Sequence, residues 1–228
     1  MFGLSKYESL LQELQLHKMN FSTCWNVVDE NSLVLLRHDI DFSVEQAHQV
    51  ALKEAELGVI STYFFMLTTN MYNALAPCNR DLIRSIKEMG HKIAIHFDPT
   101  AYRDLYPFLV EKKIFESVFA VDVDVVSIHR PGPFLENNNT DLFGVAQTYQ
   151  DKYFKEMEYI SDSGGKDPVA LVTEYLNGIR DKNLQLLTHP IWWVTETQSS
   201  TATLNLWKEK NHNFLVDEVR SNCKTYLD

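Results

Sequence analysis

Residues 33–42, Leu-Val-Leu-Leu-Arg-His-Asp-Ile-Asp-Phe, constrain this chain more than any other segment. Four uninterrupted apolar residues describe a strand buried on both faces, as in parallel sheets covered by helices. The run passes straight into Arg37, His38, Asp39, Ile40 and Asp41. Strand side chains alternate, so Arg37, Asp39 and Asp41 share one face while Leu36, His38 and Ile40 share the other. Two carboxylates on one face are costly unless a cation, a shared proton or a nearby arginine relieves them. Capping of the following helix by Asp41 or Ser43 is the competing use of these residues. The rest of the chain must decide between a cap and a site.

Further segments repeat the pattern. Ser5 and Glu8 have capping-box spacing, and Leu4, Tyr7, Leu11 and Leu14 recur at helical intervals. Residues 43–57 read as a helix stopped at Gly58, Ser61–Leu67 as a strand, and about Asn79–Met89 as a helix stopped at Gly90. A strand at His91–Phe97, a helix at Tyr102–Phe119 and a strand at Asp124–His129 follow. A strand and helix are expected within 143–157, then a strand at Tyr159–Asp162, a helix at Pro168–Ile179 and a strand at Leu184–His189. This alternation implies parallel βαβ units, six or seven strands in all, in an open doubly wound sheet or an incomplete (β/α) barrel. Both architectures place active sites at the carboxyl ends of their strands.

The composition narrows the partners. A net charge of -10 argues against nucleic acid and anionic membranes. Cys24, Cys78 and Cys223 form no CxxC pair, so neither a zinc ribbon nor a disulfide framework is expected. With no apolar signal core and no run of transmembrane length, a soluble cytoplasmic protein without membrane insertion is expected. No linker-like tract divides residues 1–228, which are read as one domain, with 1–25 a covering helical segment and 195–228 a C-terminal extension.

The strand ends carry the polar residues. Asp39 and Asp41 end the first strand, His96 and Asp98 the third, His129 and Arg130 the fourth, Asp162 a later one and His189 the last. A single buried histidine is usually a hydrogen-bonded core residue, but several at successive strand tips point to one shared site. Alternation assigns His96 to the mouth and His91 to packing or a backbone hydrogen bond. An aspartate with two histidines is a suitable shell for a divalent ion. Oxygen and imidazole donors fit zinc first, and also manganese, cobalt, nickel or iron.

These residues resemble the polysaccharide deacetylase superfamily, carbohydrate esterase family 4, as five short motifs in family order between Leu33 and Trp193. The motifs are His38-Asp39-Ile40-Asp41, Gly90 to His96, Arg130-Pro131-Gly132-Pro133-Phe134, Ile160-Ser161-Asp162-Ser163-Gly164-Gly165, and Leu186 to Pro190. The resemblance implies an irregular (β/α) barrel and a metal-dependent hydrolase that removes an acetyl or N-acyl group from an amino sugar or sugar conjugate, in surface polysaccharide biosynthesis. By position it makes Asp39 the catalytic base, oriented by Arg130, and His189 the general acid, held in its tautomer by Asp162. Asp41 and His96 become ligands of one divalent metal.

The family places a second metal-binding histidine four residues after the first, where this chain has Thr100. His129 is the expected substitute, with Asp98 and His38 as alternatives. Phe97, Phe134 and Trp192 follow the tips and are the expected walls of a sugar site, since an aromatic ring offers apolar area to a sugar face. The alternatives are an amidohydrolase acting on a non-sugar amide, and a silent carbohydrate-binding barrel. The oligomeric state is left open.

Overall fold

In the computed structural model of the chain, residues 2–26, 32–135, 139–179 and 181–226 are described. The strands are β1 (Asn20–Phe21), β2 (Leu33–Ile40), β3 (Thr62–Phe65), β4 (Lys92–Phe97), β5 (Val125–Ile128), β6 (Ala146–Gln147), β7 (Glu158–Ser161) and β8 (Leu184–Thr188). The helices are α1 (Leu4–Leu16), α2 (Val44–Glu56), α3 (Pro77–Glu88), α4 (Pro107–Phe119), α5 (Gly132–Leu135), α6 (Asp151–Phe154), α7 (Val169–Asn177), α8 (Ile191–Val194) and α9 (Ser200–Asn222).

The strands run in the order β6-β5-β4-β3-β2-β8-β7, with β1 added to the start of β2, and every pairing is parallel. This is an incomplete α/β barrel. No ladder joins β6 to β7 among the described residues. Aromatic rings bridge that gap: Tyr149 lies 6.2 Å from Tyr159, and Phe154 packs on both.

Alternation along the strands makes two apolar clusters. Leu33, Leu35, Phe64, Ala94 and Val125 point inward onto Trp25 and Tyr153, whose rings meet edge to face at 5.1 Å and plug the base. Val34, Leu36, Tyr63, Phe65, Ile93, Ile95 and Val126 point outward beneath the helices. All eight residues of β2 are buried. Each large apolar side chain so buried contributes about 1.5–3 kcal/mol.

The outer layer also encloses a polar hub. Glu54 of α2 accepts hydrogen bonds from Tyr7 and from the hydroxyls of Ser61 and Tyr63, at 2.6 and 2.8 Å for the latter two. His38 Nε2 stands 2.7 Å from the same carboxylate. Burial pushes the Glu54 carboxyl up, but His38, His91 and Ser61 outweigh it and bring its pKa down to about 2. The hub pins α1, α2, β2 and β3 together.

Several boundaries differ from the sequence reading. Ser5 does not form a capping box: α1 starts at Leu4 with Gly3 as its N-cap, where Phe2 anchors the entry by packing on Trp193 at 4.8 Å. Ser43 does cap α2, accepting from the Gln46 amide at 3.2 Å, which leaves Asp41 free. Prolines at the first turn set the starts of α3 and α4, so α4 begins at Pro107 rather than at Tyr102. The segment expected as a C-terminal extension contains the 23-residue α9. Its Trp207 packs edge-on against Phe42 at 5.2 Å and donates through Nε1 to the Phe42 carbonyl at 3.2 Å. Among the described residues, no helix is long and apolar enough to cross a membrane.

Candidate active site

The inward face of β2 climbs through Leu33, Leu35, Arg37 and Asp39 to Asp41, just beyond the strand. Arg37 is fully buried, stacks on the Tyr149 ring with Cζ 4.7 Å from its centroid, and brings Nη2 to 3.5 Å from Asp39 Oδ2. From β5, Ser127 donates to the same oxygen at 3.0 Å. Burial pushes the Asp39 carboxyl up, but the Arg37 guanidinium, with His96 and His189, outweighs it and holds Asp39 below the usual carboxylate range. Asp39 Oδ1 is buried and makes no hydrogen bond. One oxygen is anchored and the other is available to a proton.

Asp41, His96 and His129 converge above this pair, with their ligand atoms within 4.8 Å of one another. Asp41 Oδ1 stands 3.2 Å from His96 Nε2 and 3.4 Å from His129 Nδ1, and the two ring nitrogens are 3.1 Å apart. A single proton bridges one pair of these atoms at a time, whereas a cation at their centre satisfies all three. Donor atoms around a tetrahedral zinc stand roughly 3.4 Å apart, close to these separations. His96 Nδ1 lies 3.2 Å from the Ser127 carbonyl, to which it donates, so neutral His96 turns the Nε2 lone pair toward the cluster. The residues present therefore fit a divalent ion.

On the other side of Asp41, His189 Nδ1 donates to Asp162 Oδ1 at 2.6 Å. Asp162 is buried, and its Oδ2 accepts from the His189 amide at 2.9 Å and from Trp193 Nε1 at 2.7 Å. His189 Nε2 faces the site, 3.8 Å from Asp41 Oδ2. Burial lowers the His189 pKa, but Asp162, then Asp41 and Asp39, outweigh it and push it up to about 9. The structure thus brings Asp39, Asp41, His96, His129, Asp162 and His189 to one mouth at the carboxyl ends of the strands.

Other expected residues fall elsewhere. Arg130 does not reach Asp39. β5 sends Val125 and Ser127 inward and His129, just past the strand, keeps that face, so the next residue turns away, and Arg130, at φ 50, reaches the rim 3.9 Å from Asp98. Arg37 occupies the orienting position instead. Phe97, the neighbour of His96, must face outward by alternation, and it stacks on Tyr102 at 5.7 Å and meets Phe108 edge to face at 5.4 Å. Phe134 and Trp192 are likewise buried in the outer core, so none of the three expected aromatics walls the site. On the single turn of α8, Trp193 rather than Trp192 points at Asp162.

Of the alternative ligands, His38 faces outward to Glu54 and Thr188, and Asp98 is occupied by the Thr100 amide and hydroxyl at 2.9 and 2.6 Å. His91 binds the Ala51 carbonyl at 3.1 Å, away from the mouth. Sequence reading passed over Ser127, Tyr149 and Phe42. For Ser127 a signal existed, since it lies two residues before His129 on the same strand face. Nothing in the sequence pairs Tyr149 with Arg37.

Two cavities share Asp41, His129 and Arg130. One of about 200 Å³ reaches Asp39, His96, Tyr149, Leu187 and His189. The other, of about 580 Å³, opens toward residues 66–71 and 98–101 and has Phe42 in its wall.

No protein-family model and no curated protein matches the chain. Similar solved structures include a CE4 family pseudoenzyme from Bacillus anthracis, at TM-score 0.46 and 14% identity, covering 79% of this chain and 60% of that one. A family 4 acetyl xylan esterase from Clostridium thermocellum, in complex with a cobalt ion, has TM-score 0.42 and 13% identity over 79% of this chain and 83% of that one. A family 4 carbohydrate esterase from Bacillus anthracis has TM-score 0.42 and 16% identity over 93% and 85% of the two chains. The chain therefore spans less than two thirds of the pseudoenzyme's length.

Proposed function

We propose that this chain is a metal-dependent hydrolase that removes an acetyl or other N-acyl group from an amino sugar or sugar conjugate, acting in surface polysaccharide biosynthesis. The observation that carries this reading is the convergence, around Asp41, of a two-histidine ligand set, a buried carboxylate with one free oxygen, and an aspartate-held histidine. A binding module has no use for that combination.

A divalent ion held by Asp41, His96 and His129, zinc by donor type, would when bound polarise the acyl carbonyl and activate water. Asp39 Oδ1 accepts the proton of the attacking water while Arg37 and Ser127 fix Oδ2. His189, oriented by Asp162, delivers a proton from Nε2 to the departing amine. The smaller cavity takes the acyl group, and the larger groove the sugar. An acetate-release assay across N-acetylated sugars, with Asp39→Asn as control, tests this. Turnover that survives in Asp39→Asn refutes the mechanism.

A further inference from the structure

Because Arg37 neutralises Asp39, Arg130 remains at the mouth without a partner in the mechanism. Its side chain is 69% exposed, and Nη1 stands 3.9 Å from Asp98 Oδ2, beyond hydrogen-bond range. Asp98 is held through Oδ1 by Thr100, so it retains the guanidinium over the groove without using its donors. Among the described residues lining the 580 Å³ groove, Arg130 is the one arginine or lysine. The remaining lining mixes apolar Phe42, Met66 and Met71 with polar Thr68, Asn70 and Thr100, and its carboxylates are Asp41, which belongs to the ligand set, and Asp98, held by Thr100. A pyranose, with an apolar face and a polar rim, can use both kinds of residue.

A guanidinium presents five N–H donors in one plane, which suits the paired oxygens of a carboxylate or phosphate better than a hydroxyl. We propose that Arg130 binds an anionic substituent of the substrate, a phosphate or a carboxylate, so that the site takes an acidic acetylated sugar or sugar phosphate in preference to a neutral glycan. This rests on the reading of the site as a sugar amide hydrolase. Phe42, backed by Trp207, supplies the apolar face against which the ring lies, and Arg130 reads the group projecting from its far edge.

Titration calorimetry of the full chain with N-acetylglucosamine, N-acetylglucosamine 1-phosphate and N-acetylmuramic acid separates the possibilities. At least one anionic sugar is expected to bind about tenfold or more tightly than the neutral one. Arg130→Gln is expected to abolish that advantage, so that the anionic and neutral sugars bind the variant with equal affinity. The phosphate and carboxylate arms identify which anion is read. Equal affinities, an anionic preference that survives Arg130→Gln, or no binding by any of the three overturns the proposal. Acetate release is scored separately: Arg130-dependent anion binding without deacetylation upholds the subsite and removes the hydrolase reading.

Discussion

Arg37 Nη2 and Asp39 Oδ2 lie 3.5 Å apart with both side chains buried, two residues apart on one strand. The strand itself therefore supplies the counter-charge to its carboxylate, from the layer beneath.

Arg37→Met should leave Asp39 as a buried carboxylate without its cation. Destabilisation of about 3 kcal/mol is expected in urea denaturation. Turnover should fall at least about 100-fold, because Asp39 loses both its orientation and its ionisation. A variant as stable and active as the parent contradicts the pairing.

The ligand set makes a prediction that needs no substrate. Asp41→Ala, His96→Ala and His129→Ala should each weaken divalent-ion binding at least about tenfold, read by metal content after dialysis. In the parent chain, an ion at about 100 times its dissociation constant should add roughly 2.7 kcal/mol to unfolding stability. Undiminished metal in His129→Ala removes His129 from the site.

Loss of the His189 proton donor should cost about 10²–10⁴ in turnover for His189→Gln. Trp193→Phe removes only one of the hydrogen bonds to Asp162 Oδ2, the His189 amide remaining, so a smaller loss is expected. Rates for both, compared at equal folded fraction by circular dichroism, check the ranking. An inactive Trp193→Phe beside an active His189→Gln reverses the roles.

Glu54 gives a pH dependence of stability. Its carboxyl is depressed from 4.5 to about 2 in the folded chain. Stabilisation by this group is therefore complete above pH 4.5 and is lost as pH falls through about 2. The difference corresponds to about 3 kcal/mol. Unfolding free energies measured from near-neutral pH down to the acid limit should show this loss in the parent chain and a flatter profile in Glu54→Gln. Identical profiles place the acid sensitivity elsewhere.

Much of this architecture is legible in the chain. Apolar runs ending in Asp, His or Arg, separated by amphipathic helices, dictate parallel strands whose polar tips meet at one end. Period-two alternation places Arg37 on the face of Asp39, and it also excludes Phe97 from the face of His96. The motif resemblance assigned the orienting role to Arg130, but the turn after β5 carries that side chain to the rim.

Local pattern determined which residues stand at strand ends and which face each takes, because pleating and helical periodicity act over a few residues. Only the tertiary structure decided which tips touch. The curvature of the sheet brings His129, just past β5, to Asp41, just past β2, lays Tyr149 on Arg37, and sets Trp193 against Asp162. Those distances depend on how the strands coil around the plug of Trp25 and Tyr153, a packing of residues 128 positions apart that no local spacing encodes.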